Sequence, residues 1–269
     1  MRRMLYAVNR KSFLIEGLVI PTLAFLMSIS IATGAPFAYV TNSGSNNVSV
    51  IDTAIDAVVA SVPVGDSPEG VSVTSDGAKV YVANFGSSNV SVIDTATNKV
   101  TTSVQVGDFP DRVAVSPDGK KVYVFSSNDN NFSVINSTTD NVTATVHVEF
   151  LSRGAAFSPD GAKVYVTGFN KSIDDPGFLY VIDSANNTII ATVPVGTFPN
   201  GVAVSPDGRE VYVANSFNNT TWVINTTNNT VVATVGVGYQ PYGVAFNPDG
   251  KKVYVTNNRN GTVSIIDTE

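Results

Sequence analysis

From residue 37 onward the chain alternates apolar and polar positions in short runs such as V-S-V-T, V-Y-V-A and V-S-V-I. A period of two is that of a strand showing opposite faces to opposite sides. In "GVSVTSDGAKVYVANFGSSNVSVIDTATNKVTTSVQVGDFP" four such runs follow one another: Val71–Thr74, Val80–Ala83, Val90–Ile93 and Val100–Val106. Between the first two stands Asp76-Gly77, whose glycine supplies the positive φ of a tight hairpin turn. An Asn/Ser/Gly loop and "DTATNK" separate the others, and Gly107–Pro110 breaks the pattern before it restarts. The segment predicts a four-stranded antiparallel sheet.

The pattern occurs six times, with tyrosines at Tyr39, Tyr81, Tyr123, Tyr165, Tyr212 and Tyr254 spaced 42, 42, 42, 47 and 42 residues apart. Such a period is that of a propeller blade or a helical array. Val, Thr, Ser, Asn and Gly dominate while Leu, Glu and Lys are scarce, which favours strands. The expected fold is all-β, a β-propeller of about six four-stranded blades whose apolar faces are buried by stacking on neighbours. The first unit opens on its second strand and the last closes on its third, giving 22 strands in four complete and two three-stranded blades. A closed ring lacking one inner and one outer strand, an open arc, a truncated product and a ring completed by a second copy all fit that count.

The words "YVTN" and "YVAN", the "SPDG" turns at Ser116–Gly119, Ser158–Gly161 and Ser205–Gly208, the "VIDT" runs and the "VPVG" blade ends resemble the YVTN-repeat β-propeller family across residues 37–269. The resemblance implies a surface-layer or secreted protein of the archaeal and bacterial kind, usually with seven blades. The wider group is similar to the propellers of nitrous oxide reductase and of lactonases.

Residues 1–34 differ in character. Arg2, Arg3, Arg10 and Lys11 precede the apolar run Leu18–Ala32, and the small residues Thr33, Gly34 and Ala35 follow it, as in a secretory leader. The run falls short of the ~20 residues that span a bilayer and contains Pro21, which favours a cleaved leader over a retained anchor. Pro36 disfavours cleavage after Ala35 and leaves Gly34 as the expected site. The expected organisation is a leader over 1–34, a propeller domain over 35–269, and a secreted or cell-surface product without a stable membrane span.

Removal of the leader takes four of the 16 basic residues and one of the 22 acidic ones, leaving 12 against 21 and a formal charge of −9. That charge disfavours nucleic acid as a partner. There is no cysteine, so thiol chemistry, disulfides and Cys-based metal sites are excluded.

His147 is the one histidine, on an expected outer strand, so a Ser/His/Asp triad or an imidazole-rich metal site has little to build on. The aspartates of the Asp-Gly turns are accounted for by turn formation, and no acid pair recurs at a spacing suited to general acid–base work. Phosphate-loop and dinucleotide fingerprints are missing. No catalytic residue, cofactor or metal is expected.

Because the units are internal copies, positions where they differ can be read off directly. Immediately before the first strand stand Glu69, Asp111, Arg153, Asn200 and Tyr242, followed by Gly70, Arg112, Gly154, Gly201 and Gly243. In a propeller the first strand lines the axis, so these side chains, with Arg112, are candidates for a ligand or partner site at one mouth of the channel. A solvated, freely varying loop is the alternative. The fourth unit carries five additional residues, raising Lys171, Asp174 and Asp175 as a candidate rim loop before Pro176-Gly177. Trp222 stands where other units have Ser49, Ser91, Ser133, Tyr180 and Ser264, and with Tyr180 forms either an exposed aromatic patch or sheet packing. Twelve Asn-X-Ser/Thr sequons, at Asn47, Asn89, Asn131, Asn136, Asn141, Asn170, Asn186, Asn218, Asn219, Asn225, Asn228 and Asn260, are candidate glycosylation sites in an exported protein.

The leading expectation is a non-enzymatic propeller that binds an envelope protein or glycan. A lactonase-like enzyme using acids at the channel mouth is the alternative, and a structural module that self-associates to complete a ring is the third reading.

Overall fold

The computed structural model describes residues 5–8, 11–14, 37–127, 129–169 and 176–268. The apolar run of the expected leader lies outside them, as do Asn170, Lys171, Asp174 and Asp175. A short hairpin pairs β1 (Leu5–Val8) with β2 (Lys11–Leu14). No helix among the described residues is long and apolar enough to cross a membrane.

The expected 22 strands follow, in six antiparallel propeller blades. The first has three strands, β3 (Phe37–Asn42), β4 (Asn47–Asp52) and β5 (Ala57–Pro63). The second is β6 (Pro68–Val73), β7 (Lys79–Asn84), β8 (Asn89–Asp94) and β9 (Lys99–Gln105), with one 3-10 turn at Phe85–Ser87. The third is β10 (Pro110–Val115), β11 (Lys121–Ser126), β12 (Asn131–Asn136) and β13 (Asn141–His147). The fourth is β14 (Leu151–Phe157), β15 (Lys163–Phe169), β16 (Pro176–Asp183) and β17 (Thr188–Thr197). The fifth is β18 (Pro199–Val204), β19 (Glu210–Asn215), β20 (Thr220–Asn225) and β21 (Thr230–Gly236). The last has three, β22 (Pro241–Phe246), β23 (Lys252–Asn257) and β24 (Thr262–Asp267). The chain forms two compact units, Met27–Ser152 and Met1–Leu26 with Arg153–Glu269.

Within each unit the alternation does what the pattern implies. In β7, Val80, Tyr81, Val82 and Ala83 are all buried, because both sheet faces are covered. Tyr39, Val48 and Val50 of the first blade pack against Val71, Val80 and Ile93 of the second. In the other unit Leu179 and Val193 meet Val211, Val213 and Ile224 in the same way. Each such side chain contributes about 1.5–3 kcal/mol by leaving water. The outermost strands turn one face outward, leaving Val58, Ile190 and Val232 exposed.

The turns are built alike. Ser116 Oγ donates to Asp118 Oδ1 at 2.6 Å, the Lys120 amide donates to the same oxygen at 3.0 Å, and Gly119 takes φ +73°. Two of the junctions between blades are held from both sides. The Ser67 amide donates to Asn46 Oδ1 of the preceding blade, and the Asp66 amide to Ser87 Oγ of the following one. In the second unit Gln240 is held by Asn219 and Tyr239 by Asn260.

The first strand begins earlier than the apolar pattern predicts. Pro68 already pairs with Asn84 and Val71 with Val82, so one extra residue is accommodated as a bulge, and the fifth and sixth blades repeat this. Glu69, Asp111, Arg153, Asn200 and Tyr242 therefore lie inside their strands rather than in loops before them.

Candidate functional site

In the unit Met27–Ser152 the bulges bring three of the expected residues together. Thr41 Oγ1 donates to the Glu69 carbonyl at 2.8 Å, fixing the start of β6 against the first blade. A Cβ at Gly70 would lie 2.9 Å from the Asp111 carbonyl, so the glycine is what lets β10 run this close to β6. Asp111 is buried, and Arg112 donates to its carbonyl at 2.8 Å while standing 3.7 Å from its carboxylate. Burial holds the Glu69 carboxyl above its ordinary range; Arg112 pulls it down and Asp111 pushes it up again. Two acids thus share the neighbourhood of one guanidinium.

The unit that starts at Arg153 presents a different surface. The Arg153 guanidinium carbon lies 4.6 Å from the centroid of Phe198 and 5.5 Å from that of Phe169. Phe198 stacks in turn on Phe217 at 4.8 Å with an interplanar angle of 11°. Phe169 is buried beneath, Phe198 is half-buried, and Phe217 is 43% exposed, so the stack runs from the core to the surface. Such cation–π and ring–ring contacts each contribute about 0.5–1.5 kcal/mol.

Phe198 adopts φ +53°, a left-handed conformation unusual for a bulky residue. It is held there by the Ser216 amide on its carbonyl at 3.0 Å and by Pro199, which opens the next strand. The strain is thus imposed by the blade junction and turns the ring outward onto Phe217. A second aromatic junction, Phe85 with Phe109 at 4.9 Å, lies in the first unit, and Arg259 sits 5.9 Å from Tyr239 in the sixth blade.

Asn200 is buried next to this stack. Its Nδ2 donates to Ser216 Oγ at 2.5 Å, its carbonyl accepts from Thr167 Oγ1, and its Oδ1 has no hydrogen-bond partner among the described residues. A Cβ at Gly201 would stand 2.5 Å from the Tyr242 carbonyl, which seats Tyr242 against the start of β18. Pro176, which follows the residues outside the description, pairs with Thr197.

Tyr180 is buried, with its phenol pushed up to about 12 by desolvation, and Trp222 packs on the core between the fourth and fifth blades. These two rings are sheet packing, not a surface patch. His147 lies exposed on β13 opposite Asn131. Among the described residues no group of three His, Cys, Asp or Glu side chains is placed to hold a metal ion.

The sequons divide by environment. Asn141, Asn186, Asn218, Asn228 and Asn260 are exposed, whereas Asn47, Asn89, Asn131, Asn136, Asn219 and Asn225 are half-buried. Asn47 and Asn89 accept from Asn42 and Asn84 of the neighbouring strand. At Asn186 and Asn228 the threonine two residues on donates its hydroxyl to the asparagine carbonyl, at 2.6 and 2.8 Å.

Residues 19–114 match a family model described as a YNCE-like β-propeller. Residues 154–240 match one described as an SMP-30/gluconolactonase/LRE-like region. No curated protein matches the chain. Among solved structures, a functionally unknown protein from Desulfotomaculum acetoxidans DSM 771 is similar with a TM-score of 0.73 and 20% identity, over 86% of this chain and 78% of that one. Kuenenia stuttgartiensis hydrazine synthase is similar with a TM-score of 0.58 and 21% identity, over 86% and 92%. At these identities the likeness shows the propeller fold.

Proposed function

We propose that the chain is a non-enzymatic binding propeller, secreted or held at the cell surface, whose ligand is an envelope glycan seated on the Arg153–Phe198–Phe217 stack. The observation that carries this reading is the stack itself. It offers a flat apolar ring face at the surface, a guanidinium beside it, and a backbone fixed by the blade junction. Sugar rings present C–H faces to aromatic planes and hydroxyls or carboxylates to a guanidinium. A preorganised platform loses little entropy on binding. Glycan attachment at the exposed sequons Asn186 and Asn228 belongs to the same surface role, because a hydroxyl already bonded to the asparagine carbonyl presents the acceptor in a turn.

The test is calorimetric titration of the purified chain with polysaccharide extracted from the envelope of its own host. Phe217→Ala is expected to weaken binding at least tenfold with unchanged unfolding behaviour. Equal binding by Phe217→Ala and Arg153→Ala would remove the glycan from this stack, and capture of an envelope protein by both variants would replace it with a protein partner.

The lactonase-like match over residues 154–240 favours a second reading, hydrolysis of a sugar lactone, with the buried Asn200 carboxamide as its polar anchor. Turnover of gluconolactone by the wild type, lost in Asn200→Ala, would establish it in place of the first.

A further inference from the structure

The third blade departs from its siblings twice at one point. In the first two blades the asparagine that ends the second strand turns its amide onto the start of the third. Asn42 Nδ2 donates to Asn47 Oδ1 at 2.7 Å and to Ser49 Oγ at 2.9 Å, and Asn84 Nδ2 donates to Asn89 Oδ1 and Ser91 Oγ at the same distances. In the third blade the corresponding residue is Ser126, which pairs with Asn131 in the register of Asn84 with Asn89. Two N–H donors are thereby exchanged for one short hydroxyl. Ser126 is 2% exposed, and neither its Oγ nor the buried Oδ1 of Asn131 has a hydrogen-bond partner among the described residues.

The second departure is in the residue that accepts the amide of the incoming junction. Ser87, Asn218 and Asn260 take the amides of Asp66, Thr197 and Tyr239 with uncharged oxygens. In the third blade that residue is Asp129, whose Oδ2 accepts from the Asp108 amide at 2.6 Å.

The two changes meet beside Gly107. A Cβ built there would lie 2.6 Å from Asn131 Oδ1, 2.8 Å from Ser126 Oγ and 2.9 Å from Asp129 Oδ2. At Gly65 and Gly238 the atoms in that place belong to the carboxamides of Asn84 and Asn257, Nδ2 included. The third blade thus puts oxygens alone, one of them a carboxylate's, where its siblings put a donor.

We propose that this cluster is a calcium site, with Asp129 Oδ2, Asn131 Oδ1 and Ser126 Oγ as protein ligands and water completing the shell. Buried lone pairs without a donor call for water or an ion. Water would satisfy the lone pairs but not the carboxylate's charge, and none of the ion pairs among the described residues includes Asp129. A single acid with a carboxamide and a hydroxyl offers zinc no nitrogen or sulfur ligand. Magnesium demands a near-ideal octahedron, whereas calcium accepts irregular sets of six to eight oxygens. With few protein ligands the affinity belongs to the range of extracellular modules, about 0.1–1 mM. Asn131 is also a sequon, and its carboxamide cannot serve a metal and carry a glycan at once. The site is independent of the glycan platform, since Asp129 and Phe217 lie in different units.

The test is thermal unfolding of the purified chain with and without calcium chloride, beside magnesium chloride at equal concentration. About 10 mM calcium should raise the midpoint of the wild type by about 2–4 °C and magnesium by much less. Two variants copy the second blade: Ser126→Asn restores the amide of Asn84, and Asp129→Ser restores the hydroxyl of Ser87. Each should fold, lose the calcium-dependent shift, and weaken calcium binding at least tenfold by calorimetric titration.

No shift in the wild type would leave the oxygens to water and overturn the proposal. An equal shift with magnesium would mark screening of an acidic surface, and an equal calcium shift in both variants would put the ion elsewhere; each overturns it too. So does a glycan found on Asn131 by peptide mass. Should one variant fail to fold, the other decides.

Discussion

A Cβ placed on Gly65 would stand 2.7 Å from the side-chain amide of Asn84. Gly65 ends one blade and Asn84 ends the "YVAN" strand of the next, so the two most conspicuous words of the repeat are the two sides of a single contact. The same relationship joins Gly238 to Asn257, at 2.5 Å. In both cases the asparagine Nδ2 is turned to the adjacent strand, donating to Ser91 Oγ or Ser264 Oγ at 2.9 Å.

Gly65→Ala must push Asn84 out of that arrangement, and overpacking of this sort costs about 1–3 kcal/mol. Gly44→Ala, where a Cβ meets nothing within 4 Å, should change stability by less than about 0.5 kcal/mol. Urea unfolding of the two variants beside the wild type measures the difference. Equal midpoints would show that the glycine is not there for this approach.

Inner and outer strand positions should respond differently to truncation. Leu179 is fully buried between the fourth and fifth blades, and Leu179→Ala is expected to cost about 2–5 kcal/mol. Ile190, on the outward face of β17, is 52% exposed, and Ile190→Thr should stay within about 0.5 kcal/mol of wild type. Thermal denaturation followed by circular dichroism separates the two.

Alkaline pH should weaken the fold through its repeat tyrosines. Burial pushes the phenols of Tyr165 and Tyr212 up to about 12, and in Tyr212 the Glu210 carboxylate adds to the effect. In the unfolded chain a tyrosine ionises near pH ~10. The stability each neutral phenol contributes is therefore fully present below that pH and is lost as pH rises toward the folded value. Tyr165→Phe, which cannot ionise, should flatten the alkaline limb of a denaturant midpoint plotted against pH, and an unaltered slope would count against it.

Acid should act through the "SPDG" turns. Hydrogen bonds from Ser116, Ser158 and Ser205, reinforced by backbone amides, hold the carboxyls of Asp118, Asp160 and Asp207 below the ordinary range. Their contribution is present above the unfolded value of about 3.9 and disappears as pH falls through the lower folded values. The turns are exposed, so each contribution is small. Replacing all three serines by alanine should shrink the difference in urea midpoint between neutral pH and the acid limb; the same difference in wild type and variant would rule this out.

The blades could be read from the chain because a two-residue period bounded by Asp-Gly and Asn-rich turns leaves one fold class open. Strand number and order followed from counting the tyrosines. The starts of the inner strands did not, because Glu69-Gly70 and Asn200-Gly201 interrupt the apolar pattern while the bulge carries the pairing across them. Of the candidate site, Glu69, Asp111 and Arg112 meet because they occupy equivalent or adjacent positions in consecutive copies. Phe169, Phe198 and Phe217 occupy three different positions of the repeat, and only packing makes them one surface. The Gly65–Asn84 contact was there to be found, since Gly196–Asn215 and Gly238–Asn257 repeat its 19-residue spacing.

The double hold on the first and last junctions sets a ruler for how such a gene can grow. Asp66 and Ser67 are gripped from opposite sides by Ser87 and Asn46, so a blade gained or lost as a whole 42-residue step keeps a junction of this kind matched on either side. A step of any other length that crosses a junction leaves one grip without its counterpart. The five additional residues of the fourth unit fall in the sequence between β15 and β16, inside one blade rather than where the chain passes from one blade to the next, so they leave the order of the grips unchanged.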